Sequence, residues 1–183
     1  AGPTKEYIDP VRFISNNSSG KQGYEIANEL AKFGIKTTLI SGPSKLKKPE
    51  NVNIVRVESA DQMFVETKKA LPVDIAICTA AITDFKPEKY EKQKIKKEIL
   101  NLNLKKNIDI LEFLSKNNKN RPKIVVGFSA ETENLIENSL KKIKSKYCDF
   151  IIANDVSKKN VGLNSDYNKI SIISKNGKIE NLP

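Results

Sequence analysis

Histidine is absent from this 183-residue chain and cysteine occurs only at Cys78 and Cys148, so the side chains available for chemistry are mainly lysines, carboxylates, asparagines and hydroxyls. Reactions that need a general base titrating near neutrality are poorly served by such a set. Nucleotidyl transfer onto a carboxylate asks for less. It rests on positioning, on Mg²⁺ and on cations around the phosphorus centre, and lysine ammoniums and helix N-termini supply the last of these.

The densest cluster of suitable residues is at 8–30, IDPVRFISNNSSGKQGYEIANEL. Asp9 and Pro10 make a turn, and the polar run Asn16, Asn17, Ser18, Ser19, Gly20 cannot continue a strand. Ile26, Ala27, Leu30 and Ala31 then recur at helical spacing up to the stop signal Gly34, with Ser18 or Ser19 as the expected N-cap of a helix starting near Gly20. Its first turn offers unpaired N–H groups and the positive end of the dipole beside small residues, which suits a phosphate or carboxylate, although an ordinary capped helix fits the same residues. Two named phosphate motifs are excluded. Ser15 and Gln22 stand where a P-loop needs Gly and Ser or Thr, and G-x-G-x-x-G does not occur.

Three further places carry candidate groups. After Cys78, the run Thr79 to Phe85 (TAAITDF) offers small residues where a ligand can approach backbone, followed by Asp84, which suits a sugar hydroxyl, a metal or the capping of a turn before Pro87. Residues 89–97 (KYEKQKIKK) are either a solvated loop or a basic flap over a triphosphate. Beyond them Leu100, Leu102 and Leu104 alternate with Asn101 and Asn103 like a strand with one buried face. Lys142 and Lys146, four apart, share a helix face and either reach phosphates or are solvated.

The elements that must hold these groups alternate. Residues 36–41 (KTTLIS) and 53–57 (NIVRV) read as strands, residues 60–71 as a helix ended by Pro72, and 74–79 (DIAICT) as a central parallel strand. Residues 123–128 (KIVVGF) and 149–153 (DFIIA) repeat that character around a helix carrying Leu135, Ile136, Leu140 and Ile143. Asn176-Gly177 joins two strand runs at 169–174 and 178–182 as a hairpin. The expected fold is α/β: a Rossmann-like, doubly wound, mostly parallel sheet in a single domain over 1–183, ending in an antiparallel hairpin, with ligands beyond the carboxyl ends of the strands.

A net charge of +10 with pI near 9.5 favours anionic partners. Lys far outnumbers Arg and aromatic residues are few, which points to phosphorylated small molecules rather than nucleic acid. The two cysteines lie in apolar runs without metal-site spacing, as reduced, inert thiols do in a cytoplasmic protein; neither a membrane span nor a signal peptide is expected. The chain starts without Met and stops directly after a strand-like run, which suggests a piece of a longer protein.

Six collinear segments carry a family resemblance: TKEYIDPVRFISN from Thr4, SSGKQG from Ser18, AAITDFKP from Ala80, KIKK from Lys94, VGFSAET from Val126 and ANDV from Ala153. In this order and spacing they resemble phosphopantothenoylcysteine synthetase of the bacterial, CTP-dependent type. Bacterial members are often the C-terminal half of a flavoprotein whose N-terminal half is a decarboxylase, so the resemblance implies a fused or separate decarboxylase as partner. It also implies a ligase of coenzyme A biosynthesis. CTP would activate phosphopantothenate as an acyl-cytidylate, with Mg²⁺ present, and L-cysteine would displace CMP. Carried onto this chain, Lys94 stabilises formation of the acyl-cytidylate and Asn16 holds it for the second step. Ala80, Asp84, Ile108, Asp109, Ile110, Leu111 and Phe128 meet the nucleotide, while Ser19, Gly20, Lys94, Lys142 and Lys146 face the phosphates. A homodimer assembled through an arm at 5–17 and a basic flap at 86–98 are further implications; no metal ligands are assigned. Two alternatives stand beside this reading, a nicotinamide-dependent oxidoreductase and a basic nucleic-acid-binding module.

Overall fold

Alternating apolar runs and amphipathic segments fold into a Rossmann-like α/β arrangement, with eleven strands and four helices among the described residues. The structure, a computed structural model, describes residues 1–97, 99–116, 119–156 and 169–182. It falls into two compact units, Ala1–Lys69 with Ala80–Ile108, and Ala70–Thr79 with Asp109–Pro183.

In the first unit, β1 (Lys5–Tyr7) and β2 (Phe13–Ser15) pair antiparallel around the Asp9-Pro10 turn, giving the arm its form. Helix α1 (Lys21–Lys32) lays Tyr24 and Ala27 on Leu39 and Val52 of the parallel pair β3 (Thr37–Ser41) and β4 (Val52–Arg56). Of the residues expected on this face Ala27 and Ala31 pack in the core, whereas Ile26 and Leu30 are only half-buried and Tyr24 is enclosed beside them. Tyr24 belongs inside because its hydroxyl meets Ser41 Oγ at 3.0 Å, satisfying the polar tip of a large apolar body. The helix stops where Gly34 adopts φ 73°, as expected. Helix α2 (Ala60–Ala70) is tied to β1 by the buried Glu6, whose Oε1 accepts from the Ala60 N–H at 2.9 Å.

Strands β6 (Phe85–Pro87) and β7 (Leu104–Lys106) form an antiparallel pair that closes the flap segment at its base. The flap's last residue, position 98, lies outside the described residues. The expected one-face-buried strand is corrected: β7 begins only at Leu104, and Leu100, Leu102 and Leu104 are 39%, 38% and 47% exposed. Alternation says which side chains share a face of a strand, not whether anything covers that face.

The second unit is a five-stranded sheet in the order β11-β10-β9-β8-β5. Strands β5 (Ile75–Cys78), β8 (Ile124–Glu131) and β9 (Phe150–Asp155) run parallel, and β10 (Ile170–Ser174) and β11 (Ile179–Leu182) add the antiparallel hairpin turned at Asn176-Gly177. The strand read as central, β5, stands at the end of this sheet among the described residues. A four-residue apolar run signals burial but not rank, and the longer β8 takes the inner place beside β9. Burial alternates along β8 and β9, with Val125, Ile151 and Ala153 fully enclosed. Helices α3 (Ile110–Lys116) and α4 (Leu135–Lys146) pack on these strands. Gly127 makes room: a β-carbon there would lie 2.6 Å from Leu111 Cδ2 and 2.8 Å from Ile151 Cδ1.

Asp149, at the start of β9, anchors this unit. Its Oδ1 accepts from Lys175 Nζ at 2.8 Å; its Oδ2 accepts from Arg121 Nη2 at 2.8 Å and from the Val125 N–H at 2.9 Å. Burial pushes its pKa up, but the bonds from Lys175, Val125 and Arg121 outweigh that and hold it below the ordinary 3.8. A carboxylate whose folded pKa is depressed stabilises the fold above its unfolded pKa, and this contribution is lost as pH falls through the folded value. Asp149→Asn is expected to cost about 1–3 kcal/mol at pH 7, with the gap from wild type closing below pH ~4. Urea unfolding at pH 7 and pH 3 measures both; an equal gap at the two pH values would contradict the assignment.

Candidate active site

In the first unit the structure brings Asn16, Ala80 and Asp84 into one neighbourhood. Asn16, exposed just after β2, donates through Nδ2 to the Ile82 carbonyl at 3.0 Å. The 80–84 loop is pinned from several sides: the Ala81 N–H donates to Gly2 O at 3.0 Å, the Thr83 N–H to Thr4 Oγ1 at 3.4 Å, and the Asn107 N–H to Asp84 O at 2.8 Å. Asn107 Nδ2 adds bonds to Thr83 O and Oγ1 at 2.9 and 3.2 Å. Asp84 is exposed, and among the described residues its carboxylate caps no turn, which leaves it available to a ligand. An asparagine amide has two donor hydrogens, and the bond from Asn16 to the Ile82 carbonyl uses one of them and fixes the orientation of the group. The resemblance names Asn107 only as the start of the base-binding segment 107–111; that Asn107 and Thr4 hold the 80–84 loop is not expected from sequence, because their partners lie far along the chain.

Ser19 and Gly20 lie at the start of α1 in a form that differs from the expected cap. The N-cap is Gly20, in the left-handed region at φ 81°, without a side-chain cap. The Ser18 and Ser19 hydroxyls instead accept from the N–H groups of Gly20 and Lys21 at 3.2 and 3.3 Å. A serine cannot easily take this place: a β-carbon on Gly20 would lie 3.0 Å from Gly2 Cα, in a backbone conformation that L side chains rarely adopt. Lys94 is exposed on the flap, directly before Ile95, which is bonded to the arm.

In the second unit a separate cluster forms. Asp109 is the side-chain cap of α3, its Oδ1 accepting from the Glu112 N–H at 2.8 Å, while its Oδ2 pairs with Lys146 Nζ at 2.5 Å. Lys146 also reaches Glu112 Oε2 at 3.5 Å, and Lys142 Nζ donates to the Phe128 carbonyl at 2.8 Å. Burial works to raise the Asp109 pKa, but Lys146 and the Glu112 N–H hold it down; the same ion pair raises that of Lys146. The two lysines thus face β8 at Phe128 and the start of α3, from one side of α4. Ile110 is buried and Leu111 packs toward Gly127, so these two offer a ligand mainly their backbone, whereas Ile108, the last residue of the first unit, is 40% exposed.

Both cysteines are free, and burial pushes the Cys78 and Cys148 thiols up to about 12 and about 11, which removes them as nucleophiles. Among the described residues no three His, Cys, Asp or Glu side chains converge on a metal site, and no helix is long and apolar enough to cross a membrane.

These features define a Rossmann-like α/β fold in which each unit presents groups that suit an anion, the α1 start in the first and the α4 lysines in the second. The model of the DNA/pantothenate metabolism flavoprotein C-terminal domain matches residues 1–183, and the chain belongs to that family. It is 41% identical over 177 residues to the coenzyme A biosynthesis bifunctional protein CoaBC of Vibrio vulnificus, covering 94% of this chain and 44% of that protein. With its namesake from Bacillus subtilis it shares 40% over 187 residues, covering 100% and 46%. The chain therefore spans less than half the length of these relatives. Among solved structures, the C-terminal domain of a CoaBC protein superposes with TM-score 0.83 at 36% identity, covering 100% of this chain and 83% of that one. A Cab2 mutant in complex with phosphopantothenate-cysteine shares the fold, with TM-score 0.74 at 16% identity, covering 100% and 78%.

Proposed function

We propose that this chain is the synthetase part of a coenzyme A biosynthesis protein and joins phosphopantothenate to L-cysteine with CTP. The observation that carries the reading is Asn16 held by Ile82 O against the 80–84 loop, which places an oriented amide donor beside the exposed carboxylate-bearing loop end. Family membership and the names of its relatives support the same activity.

In the first step a carboxylate oxygen of phosphopantothenate attacks the α-phosphorus of CTP and the bond to the β-phosphate oxygen breaks, releasing pyrophosphate. Lys94 neutralises charge developing on the transferring group, and the Ser19-Gly20 helix start offers its positive end to phosphate. Within the first unit the proposed nucleotide contacts are Ala80, Asp84 and Ile108. Within the second they are Asp109, Ile110, Leu111, Phe128, Lys142 and Lys146, the two lysines being held at present by the Phe128 carbonyl and by Asp109 and Glu112. In the second step the cysteine amine attacks the acyl carbon and CMP leaves, with Asn16 donating to the acyl oxygen. Mg²⁺ accompanies the nucleotide; the described residues form no cage for it, so no protein ligand or step is assigned to it.

The protein works in the cytoplasm as a homodimer, beside a fused or separate decarboxylase. Val11 and Phe13 of the arm are 59% and 43% exposed, the kind of apolar surface a second copy covers. Sedimentation at micromolar concentration is expected to show two copies, and a monomer would oppose that part of the reading. The oxidoreductase and nucleic-acid alternatives gain no observation from the fold. Mass-spectrometric detection of phosphopantothenoylcysteine, with each nucleotide tried in turn, tests the activity: product with CTP supports it, and no product with any nucleotide would refute it.

A further inference from the structure

We infer that Asp9 is a positioning residue for Lys94, acting through the arm turn on the flap backbone; this rests on the role proposed for Lys94. The Asp9 side chain is fully buried, and its two oxygens face different parts of the chain. Oδ1 serves its own turn, accepting from the Val11 and Arg12 N–H groups at 2.8 Å each. Oδ2 serves a segment 86 positions away, accepting from the Ile95 N–H at 3.1 Å, and also pairs with Arg12 Nη1 at 2.6 Å. The same Arg12 Nη1 donates to the Ile95 carbonyl at 3.1 Å, so both backbone groups of Ile95 are held. Four residues earlier the Glu91 N–H donates to the Ile8 carbonyl at 2.9 Å.

The backbone is therefore fastened at Glu91 and at Ile95, on both sides of Lys94, by one turn of the arm. A carboxylate needed only to shape the turn would have no reason to bury its second oxygen against the flap. Burial alone would raise the Asp9 pKa, but the N–H groups of Val11, Arg12 and Ile95 and the Arg12 guanidinium bring it down to about 2, so the clamp stays charged at working pH. A lysine on a long irregular segment has many positions open to it, and a displacement of about 1 Å costs roughly 100-fold in rate. Fixing its neighbour removes most of those positions.

The test compares Asp9→Asn, Lys94→Gln and the double variant in the full chain, reading pyrophosphate release from CTP and phosphopantothenate together with hydrogen exchange at the Ile95 amide. Asp9→Asn is expected to exchange faster at Ile95 and to slow release roughly 10- to 100-fold. The double variant should be no slower than Lys94→Gln alone, because a residue acting through Lys94 has nothing left to position. If Asp9→Asn does not fold, Arg12→Met, at a half-exposed side chain, removes the guanidinium arm of the clamp and should show the same pattern more weakly. Losses that multiply in the double variant, or Ile95 exchange unchanged in a folded variant, would overturn the inference alone. Full pyrophosphate release by Lys94→Gln would instead overturn the role of Lys94, and the inference with it.

Discussion

Lys94→Gln is expected to abolish nearly all pyrophosphate release while leaving the protein folded, a loss of roughly 10²- to 10³-fold, or about 3–4 kcal/mol, as for removal of one donor to a developing oxyanion. The side chain is exposed on the flap, so removing its charge disturbs no packing. The transferring group gains charge on its oxygens in the transition state, and glutamine retains length and a donor without the cation. Substrate affinity should change less than the rate, because the interaction grows as that charge develops. Pre-steady-state release of pyrophosphate, with CTP binding measured alongside, separates the two. A variant that binds CTP and releases pyrophosphate at the wild-type rate would refute the assignment.

Asn16→Asp is expected to do the reverse: pyrophosphate release largely survives and the acyl-cytidylate accumulates with all substrates present. Asn16 Nδ2 donates to Ile82 O in the structure. Aspartate would place an acceptor against that carbonyl and a negative charge where the tetrahedral intermediate of the second step also becomes negative, so collapse to product should slow roughly 10²-fold or more. Rapid quench with chromatography detects the trapped intermediate. Equal loss of both steps in a folded, CTP-binding variant would show that Asn16 and Lys94 do not divide the labour in this way.

Much of this architecture was legible in the sequence because it rests on local signals. The Asp9-Pro10 turn, the Gly34 stop, the Asn176-Gly177 hairpin and the alternating strands and helices all appear where turn chemistry and periodicity place them. What depends on distant partners was not legible. Tyr24 joins the core face of α1, its hydroxyl meeting that of Ser41, 17 positions on. Leu100, Leu102 and Leu104 keep the alternation of a covered strand without a cover. Gly20 displaces the serines as N-cap because Gly2 approaches it too closely for a side chain. At the candidate site, lysines four apart on α4 signalled a shared face, whereas Asn107 and Thr4 hold the 80–84 loop through bonds that no local pattern encodes.

The measurement that bears most directly on the central claim is pyrophosphate release from CTP and phosphopantothenate with cysteine withheld and then added. The expected result is a cysteine-independent burst of pyrophosphate close to one per active chain, with acyl-cytidylate held on the protein, followed on adding cysteine by CMP release and amide formation. Pyrophosphate that appears only once cysteine is present, or no release with CTP while the folded protein binds it, would contradict activation of the carboxylate as the first step.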